Sequence, residues 1–292
     1  RGVRVGGPVR WSRGTDRLRL TGWRDSVAGD EPAVTMLLNE RGAEVWHCDW
    51  RRLAERAREL GGVDALIVDA PYSERTHAGH DGGERYDGSC ADRGDDSYGH
   101  RKKTRGINYR PWSTDDVNAF VDAWSAVNRG WFVSITDDVL AMSWRLAFER
   151  VGLCGFAPLP IVEIGSRVRL AGDGPSSWTC WAVVARPRTQ AMRKWGTLRG
   201  GYVYTGHGDR AVMGGKRTES MRDLVRDYTR PGDLVCDPCG GAMTTGLACI
   251  LEGRRFLGGD AMREHAELGV NRIRELPAVP DKTGTLSLFG GA

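Results

Sequence analysis

The chain has 292 residues, 40% hydrophobic and 27% charged, a globular composition long enough for one large α/β domain or two ordinary ones. No stretch approaches the roughly 18 consecutive apolar residues of a membrane span. Seven scattered Cys, an odd number, predict reduced thiols in a cytoplasmic setting and no disulfide framework. The formal charge of +4 leans mildly towards polyanion partners.

Residues 1–35 hold seven Arg, little apolar periodicity and no apolar run behind the charges, so no secretory signal is expected. The first Met is Met36; the stretch reads as a poorly packed basic arm, or as sequence upstream of the natural start. Ordered structure is expected from near residues 33–49, as strand, turn, strand. RRLAERAREL then predicts a helix with Leu53, Ala54, Ala57 and Leu60 on one face, ended by Gly61-Gly62. VDALIVDAPY is an apolar run of strand length that halts at Asp69 and Pro71, the pattern of a parallel-sheet α/β unit.

Residues 73–110 hold seven Gly, three His, almost no aliphatics and the basic cluster Arg101-Lys102-Lys103, and predict a long functional loop. STDDVNAFVDAWSAV, capped by Ser/Thr and acidic in its first turn, predicts a helix. RGWFVSIT reads as a strand and DVLAMSWRLAFERVG as a helix ended by Gly152. PLPIVEIG and SWTCWAVVARP read as strands. Residues 186–230 carry eleven Lys/Arg against four acids, a surplus of +7. GDLVCDPCGGAMTTGLACILEG then predicts strand, glycine turn and helix, RRFLGGDA a strand and REHAELGVNRIREL a last helix.

Two loops carry chemistry. Asp237-Pro238-Cys239-Gly240-Gly241-Ala242 lies where a strand meets a helix, so small residues and unpaired N–H groups can face a ligand. Asp260 ends the next strand 23 residues on, a spacing suited to holding ribose hydroxyls, although the dinucleotide pattern G-x-G-x-x-G is missing. Asp69-Ala70-Pro71-Tyr72 offers a carboxylate and a main-chain carbonyl to one amino group, with an aromatic face beside them; a turn Asp with a packing Tyr is the plainer reading.

Together these loops resemble the S-adenosylmethionine-dependent amino-methyltransferases that act on DNA. DAPY matches the family's D-P-P-Y with Ala70 for the first Pro. DPCGGAMTTGLA matches D-P-F-x-G-S-G-T-T with Cys239 for the aromatic, Ala242 for Ser, and Met243 bringing bulk where the family has Gly. FLGGDAMREHAELGVNRI is similar to the segment with the ribose-binding acid, and Cys48-Asp49 to the G-D segment near the adenine. Lys216 resembles the lysine that starts the helix before the cofactor strand, with Arg217 for Pro. With the DAPY motif first and the cofactor motif last, the order is that of the permuted β class.

The resemblance implies a Rossmann-like, doubly wound, seven-stranded, mostly parallel sheet over residues 36–275 with a tail at 276–292. Helices lie on both faces and one strand, WTCWAVVARP, runs antiparallel. It implies catalytic roles for Asp69, Ala70, Pro71 and Tyr72, and S-adenosylmethionine contacts from Cys48, Asp49, Lys216, Asp237, Cys239, Gly241, Thr244 and Asp260. Double-stranded DNA would lie on the 73–110 loop and the basic 186–215 segment, through Arg101, Lys102, Lys103, Arg188, Arg193 and Lys194. The product would be N6-methyladenine in a flipped-out base, with room for a homodimer or a restriction-endonuclease partner.

The alternatives are cytosine N4 or RNA as substrate, a non-catalytic nucleic-acid-binding relative, and a nucleotide-dependent oxidoreductase. The last is disfavoured by the missing fingerprint. No metal is expected: Cys236 and Cys239 lack a second pair, and His77 and His80 read as solvent-facing. Cys239 lies inside the cofactor turn and is not read as a nucleophile. Trp112 and Trp195 read as stacking candidates within a mostly buried set of Trp.

Overall fold

The structure, a computed structural model, describes residues 34–80, 109–165, 178–188, 195–206, 208–211 and 215–277. The expected basic arm up to residue 33, the loop cluster Arg101-Lys102-Lys103, Arg193, Lys194 and the tail beyond 277 lie outside the described residues.

The first two strands, β1 (Thr35–Glu40) and β2 (Ala43–His47), form a hairpin about Arg41-Gly42, both at positive φ. Asp49 caps α1 (Trp50–Glu59), whose Leu53, Ala54 and Ala57 are buried as the periodicity predicts, whereas Leu60 is the C-cap and is exposed, because the helix ends before it can turn that residue inward. Then come β3 (Val63–Asp69), α2 (Glu74–His80), α3 (Thr114–Ser125), β4 (Asn128–Thr136) and α4 (Asp138–Arg150). α2 is a departure from the sequence reading, which had a loop throughout 73–110. Ser113 and Asp116 form a capping box at α3, which is why that helix was legible.

The next strands are β5 (Cys154–Gly155), β6 (Leu159–Ile164), β7 (Thr179–Arg186) and β8 (Tyr202–Thr205). The chain continues through α5 (Thr218–Tyr228), β9 (Leu234–Asp237), α6 (Thr244–Leu251), β10 (Arg255–Asp260) and α7 (Arg263–Glu275).

The strands form one sheet in the order β1-β2-β10-β9-β3-β4-β7-β6-β8, with β5 added on β7. β2, β10, β9, β3 and β4 are mutually parallel, and β7 runs antiparallel to β4 as expected. The sheet has ten strands rather than seven, because the β1 hairpin and the short β5 and β8 extend it. β1 also runs against the parallel majority, since a two-residue turn can only return the chain beside itself.

Side chains alternate across β3: Ile67 packs with α5, α6 and α7, whereas Leu66 and Val68 pack with α1, α3 and α4. Both faces are therefore covered by helices, the doubly wound arrangement that keeps a parallel sheet out of water. One core holds Phe120, Trp124, Phe132, Trp144 and Phe148 in edge and tilted ring contacts. Trp112 joins this cluster against Phe120 and Trp144 and is buried, so the stacking use expected of it is taken up inside the fold.

Candidate active site

β10, β9 and β3 are adjacent parallel strands, with Gly258 level with Asp237 and Cys236 level with Leu66. Asp260, Asp237 and Asp69 are their last residues. Three carboxylates thus come together along the carboxyl edge of the sheet, where ligands of open α/β folds bind. Helix formation after β9 and β10 opens small turns at this same edge.

The DAPY loop is fixed from two sides. The buried Asp137 caps α4 through Leu140 N–H and also accepts Ser73 N–H at 2.9 Å, Ser73 O–H at 2.5 Å and Thr76 O–H at 2.6 Å. Burial alone would raise this carboxyl, but these donors hold it below the usual carboxylate range. On the other side, Trp112 N–H donates to the Tyr72 carbonyl at 3.0 Å. The distal loop end is therefore anchored back on the motif it leaves.

Lys216, just before α5, places its ammonium 2.8 Å from one Asp69 oxygen and 2.9 Å from the other. It also lies 4.9 Å from the Tyr72 ring centroid. The lysine side chain is 11% exposed and the carboxylate 23%. Burial holds Asp69 above its usual range even though Lys216 pulls it down, while Asp69 more than offsets the burial of Lys216 and holds that amine above its own usual range. The sequence reading put Lys216 with the cofactor group; its contact here is with the DAPY carboxylate. Cys180 of β7 and Tyr109 also reach this carboxylate electrostatically. Tyr109 packs edge-on against His77, 5.2 Å between ring centroids, and its hydroxyl is pushed up to about 12, first by burial and then by Asp69. His77 is accordingly buried rather than solvent-facing.

The glycine turn is knitted to both neighbours. Gly241 N–H donates to Asp260 Oδ2 at 2.9 Å, and Met262 N–H to Oδ1 at 2.8 Å. Gly240 N–H bonds the Gly259 carbonyl at 2.9 Å. Asp237 accepts Cys239 N–H and Thr245 O–H, and burial pushes its carboxyl up to about 7. Arg272 of α7 donates to the Ala242 carbonyl and to the Thr244 hydroxyl at 3.0 Å, so the Thr244 oxygen already serves the turn. A Cβ at Gly241, which has φ +52, would meet nothing within 4 Å, so the space above the turn is open.

Met243 sits in the left-handed region at φ 54, ψ 38, yet it is fully buried. A Cβ placed on Gly240 would lie 2.6 Å from its Sδ, one on Gly258 3.0 Å from the same atom, and one on Gly269 would collide with its Cγ. The side chain thus runs beneath the turn into the core with Leu247, Phe256 and Val270. The expected bulk in the turn is directed away from the open side.

Other expected residues sit as follows. Cys48 N–H donates to the Asp260 carbonyl, and its buried thiol is pushed up to about 12, by burial first and then by Asp49 and Asp260. Asp49 accepts Arg51 N–H as the cap of α1. Burial and the nearby Asp237 and Asp260 push the Cys239 thiol well up. Much of the basic segment is paired internally: Arg199 with Asp223 and Asp227, Arg210 with Glu163, Arg222 and Arg226 with Glu252. Arg230 stacks over Trp195 at 3.8 Å, and that ring packs on Trp131, so Trp195 is also engaged. Arg188 remains exposed, bonded to the Gly152 carbonyl at 3.2 Å.

Tyr109, Asp137, Cys180 and Arg272 were not singled out from sequence. Asp137 carried a signal, as an acid immediately before an apolar-periodic helix; the others have none in their neighbours.

Residues 213–271 match the DNA methylase family of N6 and N4 enzymes. The chain is 34% identical over 76 residues to DNA adenine methyltransferase YhdJ of Escherichia coli (strain K12), covering 23% of this chain and 26% of that protein. It is 37% identical over 57 residues to Type II methyltransferase M.Cfr9I of Citrobacter freundii, covering 20% and 19%. These alignments span about a quarter or less of the curated relatives. Among solved structures, the M1.HpyAVI–SAM complex superposes with a TM-score of 0.58 at 17% identity, covering 80% of this chain and all of the other. Residues 213–271 are thus similar in sequence to the DNA methylase family, and the fold of the chain is similar to that of the M1.HpyAVI structure.

Proposed function

We propose that the protein transfers a methyl group from S-adenosylmethionine to the exocyclic amine of a DNA base, with adenine N6 as the target. The observation that carries this reading is the position of Asp69. It ends β3 beside Tyr72, one strand from the glycine turn and two from Asp260, whose strands lie within the matched segment.

The residues suit the cofactor. Each oxygen of Asp260 takes one backbone donor, which leaves lone pairs for ribose hydroxyls. The space over Gly241 is open, and Met243 points away from it. Gly241 and Asp260 would hold the nucleoside, with Cys48, Asp49, Asp237 and Cys239 walling the site. When bound, S-adenosylmethionine supplies an electrophilic methyl on a sulfonium.

An exocyclic amine conjugated to its ring is a poor nucleophile. Asp69 and the Ala70 carbonyl would accept its two N–H groups, favouring pyramidal nitrogen with its lone pair aimed at the methyl, while Pro71 keeps the turn rigid. Positioning and preorganised charge then supply the acceleration without a covalent enzyme intermediate. The base must leave the duplex to reach this edge, and Tyr72 offers a face to receive it. The adenine assignment rests on Asp69 standing where many cytosine-N4 relatives carry Ser.

Mass spectrometry of nucleosides from DNA incubated with the protein and labelled cofactor tests the reading. Labelled N6-methyladenine is expected. Labelled N4-methylcytosine would overturn the base assignment, and the absence of any labelled base would overturn the enzymatic reading.

A further inference from the structure

The Lys216–Asp69 pair is a built contact rather than a surface encounter. The ammonium stands almost equidistant from both carboxylate oxygens, at 2.8 and 2.9 Å, and over Tyr72, with both side chains largely withdrawn from water. The ammonium donates to Oδ2 and leaves the buried Oδ1, 2.8 Å away, without a hydrogen bond among the described residues and so open to a further donor. It also restricts rotation of the carboxylate about its bond to Cβ.

Resting on the reading above, we propose that Lys216 is a positioning residue for Asp69: it fixes the carboxylate's orientation and keeps it an anion able to accept the target amine, and it is not a ligand of the methyl donor. A buried carboxylate without a counter-charge takes up a proton. Protonated, it would present an O–H to the amine on one oxygen in place of an acceptor. Among the described residues, the groups acting on Asp69 are Lys216 before α5, Tyr72 after β3, Tyr109 before α3, Cys180 on β7, and Asp237 and Cys239 at the β9 turn. Lys216 is the cation among them.

The test is an infrared pH titration of the full chain, comparing wild type, Lys216→Met, Lys216→Arg and Asp69→Asn. The protonated-carboxyl band missing from Asp69→Asn reports Asp69 without any turnover. Lys216→Met should raise the midpoint of this band by at least about one pH unit, a tenfold change in proton affinity. Lys216→Arg should keep it near wild type, and calorimetry should find S-adenosylmethionine affinity in Lys216→Met within threefold. In active protein the acid limb of kcat/KM should move upwards by the same interval. If Lys216→Met does not fold, Lys216→Gln carries the same comparison.

An unchanged band midpoint, or cofactor affinity lost by more than tenfold, would overturn the proposal even if wild type methylates DNA. A shifted midpoint in a protein that methylates no base would uphold the pairing and remove the methyltransferase reading instead.

Discussion

Met243 and Gly269 share one space: the methionine's Cβ and Cγ lie where any side chain on Gly269 would have to begin. Left-handed backbone costs a residue with a Cβ about 1–2 kcal/mol. Burying a methionine side chain returns about 1.5–3 kcal/mol. The departure from glycine in the turn is therefore accommodated from below, by glycines on α7 and β10, rather than at the open side.

Gly269→Ala should destabilise the protein by about 1–3 kcal/mol through overpacking. Combining it with Met243→Gly should recover part of that loss, with a coupling of at least about 1 kcal/mol between the sites. Urea unfolding of the two single variants and the double variant measures it; simple additivity would remove the shared-space account.

Asp69 and Asp260 should fail in opposite ways. Asp69→Asn is expected to hold S-adenosylmethionine within a few-fold of wild type while methyl transfer drops at least a hundredfold, about 2.7 kcal/mol of transition-state stabilisation. Asp260→Ala should weaken cofactor binding at least tenfold, about 1.4 kcal/mol. Calorimetry and single-turnover rates separate the two, and near-normal turnover in Asp69→Asn would sink the mechanism.

Burial pushes Asp237 up to about 7 in the folded chain. The folded state therefore keeps a proton that the unfolded state releases near pH 3.9. The stabilisation from that proton is complete below the unfolded value and is lost as pH rises through about 7. Asp237→Asn lacks this titration, so its Tm minus that of wild type should grow between pH 5 and pH 8. A difference flat with pH would show that Asp237 is ionised throughout.

DNA affinity should fall with salt, with a log–log slope of about −0.9 per phosphate neutralised. Arg199 and Arg226 are occupied by Asp223, Asp227 and Glu252. Replacing them should leave the slope unchanged, whereas neutralising Arg101, Lys102 and Lys103 together should flatten it by about 2–3 units. The reverse result in a salt titration of binding would return the DNA surface to the 186–230 segment.

The sequence by itself determined the order of the major elements and the ends at which chemistry gathers. Apolar spacing around Leu53, Ala54 and Ala57, the cap at Ser113, and apolar runs halted by Asp69, Asp237 and Asp260 are local signals, because helix and strand periodicities are properties of neighbouring residues. β8 escaped because YVYT is a four-residue strand among glycines, too short to show a period.

Tertiary structure alone decided which charges meet. Lys216 reaches Asp69 across 147 positions, and Asp137 reaches Ser73 across 64. The arginines of the basic segment find acids on β6 and behind α6. Met243 turns inward because α7 and β10 leave room for it. Such partners are chosen by which surfaces pack together, and a charge written in a chain carries no record of what will face it.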